Sequence, residues 1–377
     1  VKAFSYRIYP TNAQARAMQR QLDVARELYN ACLEERREAW KHAVSRTYYD
    51  QANQLKDLRL LCPDVASVNF SMLQAVCRRA HRSYEAFYRR CKAGEKSGYP
   101  RFKGRDRFDS ITFPRYGDGC KLTARLYLQG VGDIKIKLHR PTEGPIKTVT
   151  LKREGRQWFT IFVCDAPTHP LPATHQSVGL DLGLTHFVTL DTGETIANPR
   201  SLRKAQAKLR RAQRSLSRKK RGGSNRHQAR VRLAAQHRTV RNTRRDFHHK
   251  ETRKLVDRFD VICHEDLAIT NMVKNHCLAR SINDAGWNQF LHLLHAKAVD
   301  AGRVCVAVNP AGTSQTCLCG VRVEKTLKDR WHSCSSCGLS LPRDHVSAML
   351  IKREGHSRCG GTERNTAPVP QEAVCLS

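Results

Sequence analysis

The first ten residues alternate polar and apolar positions, end Tyr6-Arg7-Ile8-Tyr9-Pro10, and favour aromatic and β-branched types, so they predict a short strand. Thr11 and Gln14 have the spacing of a capping box, and Ala17, Leu22, Ala25, Leu28, Tyr29 and Leu33 recur at helical intervals to about Trp40. A second long helical pattern covers about 65–91, with Leu73, Val76, Ala80, Tyr84 and Phe87 on one face and Arg78, Arg79, Arg82, Arg89 and Arg90 largely off it. After a turn-rich stretch at 94–104 the period falls to two. Short alternating segments at 111–113, 121–128, 133–138, 148–152 and 158–164, punctuated by Gly and Pro, predict a small β-barrel or sandwich. Lys135, Lys137, Lys147, Lys152 and Arg153 decorate these strands, and Pro167, Pro170 and Pro172 mark a linker.

A different texture follows. Val178-Gly179-Leu180-Asp181-Leu182-Gly183 reads as a buried strand interrupted by one acid, and 186–190 with Asp191-Thr192-Gly193 reads as a second strand and its hairpin turn. A long polar helical pattern runs from about 200 to 256, broken at Gly222-Gly223. Then come a strand at 261–265, a helix at 287–301, a strand at 303–308, a Cys-rich insert and a last helix from about Arg343. No repeat of fixed period occurs.

Charge narrows the class of partner. The 377 residues carry 67 Lys and Arg against 34 Asp and Glu, a formal net charge of +33 that a compact chain holds only with a polyanion or counterions at hand. This disfavours a small-molecule enzyme without a polyanionic partner and points to nucleic acid. Between 200 and 254, 21 basic residues face only Asp246 and Glu251, so this stretch holds +19 of the surplus. No run reaches the ~20 apolar residues that a membrane span needs, and no signal segment opens the chain, which reads as cytosolic.

Three acids stand at informative places: Asp181 inside the first strand of the second region, Glu265 at the end of the strand after the basic stretch, and Asp344 at the start of the last helix. A carboxylate within an apolar strand is costly to bury unless a cation compensates it, and Mg²⁺ held by two or three carboxylates is one such compensation. The order of elements is that of a ribonuclease-H-like core, in which such acids converge on one edge and paired divalent ions act on a phosphodiester. Each acid alone is equally compatible with an ordinary strand or helix end. The pairs Cys317-Leu318-Cys319 and Cys334-Ser335-Ser336-Cys337 lie about 15 residues apart, as in a zinc ribbon, although the first pair is one residue short; reduced free thiols are the alternative.

These residues resemble a known family. Tyr6–Pro10, Gly179-Leu180-Asp181-Leu182-Gly183, His264-Glu265-Asp266-Leu267, Ser281-Ile282-Asn283-Asp284-Ala285-Gly286-Trp287, Thr313-Ser314-Gln315-Thr316-Cys317, the second Cys pair and Arg343-Asp344 occur in the order seen in TnpB (OrfB) proteins, transposon-encoded RNA-guided DNA nucleases similar to type V CRISPR effectors. The resemblance covers the chain to about residue 356. It implies an α/β multidomain protein: a β-barrel wedge domain (1–10 and 108–170), a helical recognition domain (11–107), a RuvC-like nuclease domain (171–312 and 342–356), a zinc-finger insert (313–341) and a flexible tail (357–377).

It also implies catalytic metal ligands Asp181, Glu265 and Asp344 for two Mg²⁺ ions (or Mn²⁺), and zinc ligands Cys317, Cys319, Cys334 and Cys337. The implied partners are a guide RNA from the transposon end and double-stranded target DNA next to a short motif. Arg203, Lys204, Lys208, Arg211, Arg214, Arg218, Lys219, Lys220, Arg241, Arg244 and Arg245 are the expected phosphate contacts, and Gln74 is a candidate DNA contact. A monomeric ribonucleoprotein in a prokaryotic cytoplasm is expected, with a dimer as the alternative. The chain departs from the family pattern at the first Cys pair, at Asp344-His345-Val346-Ser347-Ala348, where Asp-x-Asn-Ala-Ala is usual, and at Val1, read as a non-AUG start. Two other functions fit the same residues: a cleavage-deficient RNA-guided DNA-binding protein, and a transposase acting directly in strand transfer.

Overall fold

The computed structural model describes residues 1–105, 107–310, 312, 315–326 and 329–360. The chain forms two compact units, Val1–Pro167 and Thr168–Ser377. Thr313 and Ser314 of the expected insert, and tail residues 361–377, lie outside the described residues.

Unit 1 begins with β1 (Lys2–Tyr9), α1 (Asn12–Lys41), α2 (Tyr48–Asn53), α3 (Leu55–Leu61), α4 (Pro63–Ala66) and α5 (Phe70–Lys92). It continues with β2 (Ser110–Phe113), β3 (Cys120–Leu122), β4 (Leu126–Leu128), β5 (Gly132–Ile136), β6 (Ile146–Glu154) and β7 (Gln157–Cys164). The capping box at Thr11 forms as read: the Gln14 N–H donates to Thr11 Oγ1 at 3.3 Å, and the Thr11 N–H donates to Gln14 Oε1 at 3.0 Å. The helix expected from residue 65 starts five residues later, because the Asn69 side chain accepts from the Met72 N–H and Pro63 opens a separate turn.

The strands form one seven-stranded antiparallel sheet, ordered β2-β6-β7-β1-β5-β4-β3. Residues 121–128, expected as one strand, fold back at Thr123–Arg125 into β3 and β4. Among the described residues no ladder joins the end strands β2 and β3, so the pairing is that of a sheet rather than a closed barrel. Alternate residues of β1 and β7 are buried, and Phe4, Tyr6, Ile8 and Phe162 pack with Met18, Leu22, Ala25 of α1 and Met72, Leu73, Val76 of α5 in a single core.

Unit 2 contains β8 (Ser177–Leu182), β9 (His186–Leu190), β10 (Thr195–Ala197), α6 (Ser201–Ser217), α7 (Ser224–Arg258), β11 (Val261–Glu265), α8 (Ile269–Met272) and α9 (His276–Ala285). It ends with α10 (Trp287–Asp300), β12 (Val304–Val308), β13 (Trp331–Ser333), β14 (Ser340–Pro342) and α11 (Arg343–Gly360). Its main sheet is ordered β10-β9-β8-β11-β12, with β8, β11 and β12 parallel and β9 and β10 antiparallel. The basic stretch forms two helices parted at the expected Gly222-Gly223 break, where Gly222 takes a φ of +85° that a side chain would oppose. The last helix continues to Gly360, so the first four residues of the expected flexible tail are helical.

Candidate active site and metal centre

Asp181 lies near the C-terminal end of β8 and Glu265 ends the neighbouring parallel strand β11. Because His264 pairs with Leu180, Glu265 comes level with Asp181. Side chains alternate along a strand, so Asp181 shares a face with Gly179, and Glu265 shares that face with Cys263. Helix α11 covers this face. A Cβ on Gly179 would lie 2.0 Å from the Ala348 carbonyl oxygen, and one on Gly355 would lie 2.2 Å from Cys263 Sγ. Glycine at both contacts therefore lets the helix backbone sit directly on the strands. Asp344, four residues before Ala348, is thereby delivered from the first turn of α11 to the same edge.

The three acids sense one another. Burial first, then the charges of Glu265 and Asp344, push the Asp181 carboxyl up to about 8, with Arg343 acting in the opposite direction. Three coupled carboxylates beside one cation supply the oxygen donors that hard divalent ions take, two ions suiting their spread better than one. Arg343 Nη2 and Nε lie 3.2 and 3.3 Å from Asp344 Oδ1, and its Nη1 donates to the Asp329 carbonyl at 3.1 Å. Val346, at the position where Asn is usual, is buried, and Arg343 is the side chain that contacts Asp344.

Two nearby groups carried no sequence signal. Asp191, read as a turn residue, accepts from the Gly179 N–H at 2.9 Å on Oδ1 and from Lys352 Nζ at 2.8 Å on Oδ2, and its carbonyl lies 2.9 Å from His345 Nε2. It ties β8 to α11. His264 Nε2 lies 2.8 Å from His295 Nε2, and His264 Nδ1 lies 2.9 Å from the Glu265 carbonyl; burial lowers both histidines, His295 to about 4.

The four cysteines converge. Their sulfur atoms all lie within 4.8 Å of one another, with Cys317–Cys337 at 3.5 Å and Cys319–Cys334 at 3.7 Å. A tetrahedron with ~2.3 Å zinc–sulfur bonds has edges of about 3.8 Å, so the spacing suits zinc. The short Cys-x-Cys still works because the Gly320 N–H closes a turn on the Cys317 carbonyl at 2.9 Å, with Gly320 at φ +89°. Backbone N–H groups of Cys337 and Ser336 lower the Cys334 thiol to about 6, favouring the thiolate that a metal binds. His332 is buried against Lys325 and takes no part in the cluster. Among the described residues no other group of three or more potential ligands meets the same spacing, so the acids, although coupled, spread more widely than a single ion would hold them.

Residues 160–276 match a family model described as OrfB_IS605, "Probable transposase"; 287–351 match the Cas12f1-like TNB domain; and 1–43 match an OrfB_IS605 "Helix-turn-helix domain". A Streptomyces pristinaespiralis protein named "Putative RNA-guided DNA endonuclease" is 34% identical over 95% of this chain and 91% of its own length. The chain belongs to the OrfB/TnpB family. InsQ of Escherichia coli K12, carrying the same description, is 29% identical over 80% of this chain and 78% of its own. A structure titled as a Cas12f1–sgRNA–target DNA complex is similar at a TM-score of 0.36 and 15% identity, covering 93% of this chain and 98% of that one. The stretch matched as helix-turn-helix is, in this OrfB/TnpB chain, a strand and one 30-residue helix.

The basic helices of this OrfB/TnpB protein are held by its 281–287 segment. Asp284 caps α6 across 82 residues, accepting from the Leu202 N–H at 2.8 Å and the Arg203 N–H at 3.2 Å. The Asn283 carbonyl accepts from Arg244 Nη1 at 2.6 Å, and the Ala285 carbonyl lies 2.9 Å from His248 Nε2. Arg244 is thus engaged within the protein. Arg203, Lys204, Lys208, Arg211, Arg214, Arg218, Lys220 and Arg245 are exposed, and Lys219 and Arg241 half-buried, as is Gln74 on α5. No acid occurs from 195 to 245, so this surface has no carboxylate of its own stretch to neutralise it. No helix among the described residues is long and apolar enough to cross a membrane.

Proposed function

We propose that this protein is a transposon-encoded, RNA-guided, Mg²⁺-dependent DNA endonuclease with a RuvC-like site. The observation that carries the reading is α11 pressed onto Gly179, which sets Asp344 beside Asp181 and Glu265 at one sheet edge. The family relation supports it, since relatives across most of the chain are named as RNA-guided DNA endonucleases. Asp181, Glu265 and Asp344 would hold two divalent ions, with Mn²⁺ as a substitute; when bound, such ions activate water and stabilise the leaving oxygen of a phosphodiester. Arg343 orients Asp344 and adds positive charge where a phosphate would approach. The α6–α7 cations would grip phosphates of the guide RNA or its duplex with DNA by charge and not by base. The Cys cluster would hold one structural zinc, and unit 1 would supply the wedge and recognition parts.

The test is guide-dependent cleavage. RNA copurifying with the full chain is sequenced, and a matched DNA duplex is incubated with the ribonucleoprotein and Mg²⁺. Wild type is expected to cut and Asp181→Ala to bind without cutting. Equal cutting by both, or none by either in Mg²⁺ or Mn²⁺, would overturn the assignment, and strand-joined products without guide would favour direct strand transfer.

A further inference from the structure

We propose that a groove within unit 1, between the last turns of α1 and the extended segment 98–102, is a binding site for single-stranded DNA. The groove has a volume of about 650 Å³. One wall is α1, where Arg37, Trp40 and Lys41 fall on one face at helical spacing. The other carries Tyr99, Arg101 and Phe102. Trp40 is 74% exposed, Phe102 46% and Tyr99 42%. A single exposed aromatic needs no explanation, but three in one groove, interleaved with three cations, make a platform that has no partner within the unit.

The platform is rigid from behind. Asn30 clamps the segment, its Nδ2 donating to the Lys103 carbonyl at 3.1 Å and its Oδ1 accepting from the Lys103 N–H at 2.8 Å. Tyr99 donates its hydroxyl to Tyr84 Oη at 3.1 Å, Tyr84 donates to the Leu33 carbonyl at 3.0 Å, and the Tyr99 ring meets Tyr84 and Phe87 edge-on at 5.5 and 5.2 Å. Tyr99 then has little side-chain freedom left to lose on binding.

The chemistry of the lining selects the occupant. Lys41 is held by Glu38 at 2.8 Å, but among the described residues no carboxylate lies within ion-pair distance of Arg37 or Arg101. Flat aromatic faces beside unneutralised guanidinium groups suit unpaired bases on a phosphate backbone, for every base has a face to stack. Among the lining side chains only the Tyr99 hydroxyl could accept from a ribose 2′-hydroxyl, and it is engaged with Tyr84. That favours a sequence-tolerant DNA strand over RNA. The source of the strand rests on the proposed function, in which pairing of target with guide displaces one DNA strand.

The experiment uses the full chain and a twelve-nucleotide oligo-dT. In a Trp331→Phe background Trp40 is the one exposed indole, since Trp158 and Trp287 are 5% and 2% exposed. Stacking is expected to quench its fluorescence on titration. Trp40→Ala with Phe102→Ala should weaken oligo-dT at least tenfold, with Trp40→Phe largely restoring it, and oligo-U should bind no tighter than oligo-dT. The proposal is overturned if no quenching occurs, if the alanine variant binds as wild type, or if oligo-U binds tenfold tighter. Guide-matched cleavage by the same preparations separates the two readings: cleavage without a stacking effect sinks only the groove, and quenching without cleavage sinks only the nuclease.

Discussion

Gly179→Ala tests whether the acids depend on close seating of α11. The new Cβ would lie 2.0 Å from the Ala348 carbonyl oxygen, 2.8 Å from the Lys352 nitrogen and 2.9 Å from Lys352 Cβ. Two of these are backbone atoms, so no side-chain rotation relieves the clash. A carbon–oxygen contact opens to about 3.3 Å, so α11 must retreat by about 1.3 Å, carrying Asp344 with it. Misplacing a catalytic group by ~1 Å costs about 100-fold in rate, or ~2.7 kcal/mol of barrier. Overpacking of this kind costs a further 1–3 kcal/mol of stability, roughly 2–12 °C in melting temperature for a unit of this size. Cleavage of matched DNA and thermal unfolding are measured together, with Gly104→Ala as control because nothing lies within 4 Å of its added Cβ. Gly179→Ala should bind guide RNA normally and cut about 100-fold more slowly. Cutting within threefold of wild type at an unchanged melting temperature would refute the argument.

The Asp260 carboxyl is held down to about 2, first by the Thr174 N–H, then by the His175 N–H, the Thr174 hydroxyl and Arg303. Its depressed folded value gives stability that is present above about pH 4, the unfolded value, and is lost as pH falls toward 2. Asp260→Asn should therefore lower the urea midpoint at pH 7, with the gap to wild type closing toward pH 2; a gap independent of pH would contradict this. Asp284→Ala leaves the Leu202 and Arg203 N–H groups without their cap, so unfolding should cost about 1 kcal/mol less, with faster hydrogen exchange at the start of α6. For the cysteine cluster, about one zinc per chain is expected by elemental analysis and less after Cys334→Ser; purified protein with no zinc, whose melting temperature is unmoved by a chelator, would exclude the centre.

Much of this fold was legible because periodicity is local. The strand at 261–265 and the helix starts at Trp287 and Arg343 appear where the pattern places them, since apolar runs there end at clear breakers. The misses at Asp191, Gly179 and Gly355 share a cause, partners far along the chain, whereas those at Asn69 and Gly320 are local. Residues 65–91 read as one helix because the Asn69 cap competes with an unbroken apolar face. Asp191 looked like a turn residue since its partner Lys352 lies 161 residues away. Gly179 and Gly355 carried no mark of close approach in sequence, for neither sits in a turn. The Cys-x-Cys spacing argued against a knuckle, yet the Gly320 turn gathers the thiols all the same.

The 281–287 segment shows why a motif can be diagnostic without being chemical. Its residues act as a joint: Asp284 caps α6, the carbonyls of Asn283 and Ala285 hold Arg244 and His248 of α7, and Gly286 takes the left-handed turn, φ +69°, from which α10 starts. A Cβ on Gly286 would press on Arg244 and His248 at 3.2 Å, so the turn needs glycine for its conformation and for room. The consequence is electrostatic. The stretch 200–254 carries +19 of the +33 surplus and has no acid from 195 to 245, so like-charge repulsion within it works against a fixed arrangement. Anchoring both helices at one segment, whose next helix packs in the same core as β8, fixes the basic surface proposed to grip phosphates relative to the sheet that carries Asp181. In the proposed nuclease, charge would supply attraction over distance and this joint would supply register, without which a +19 stretch would bind nucleic acid anywhere and present no particular bond to the acids.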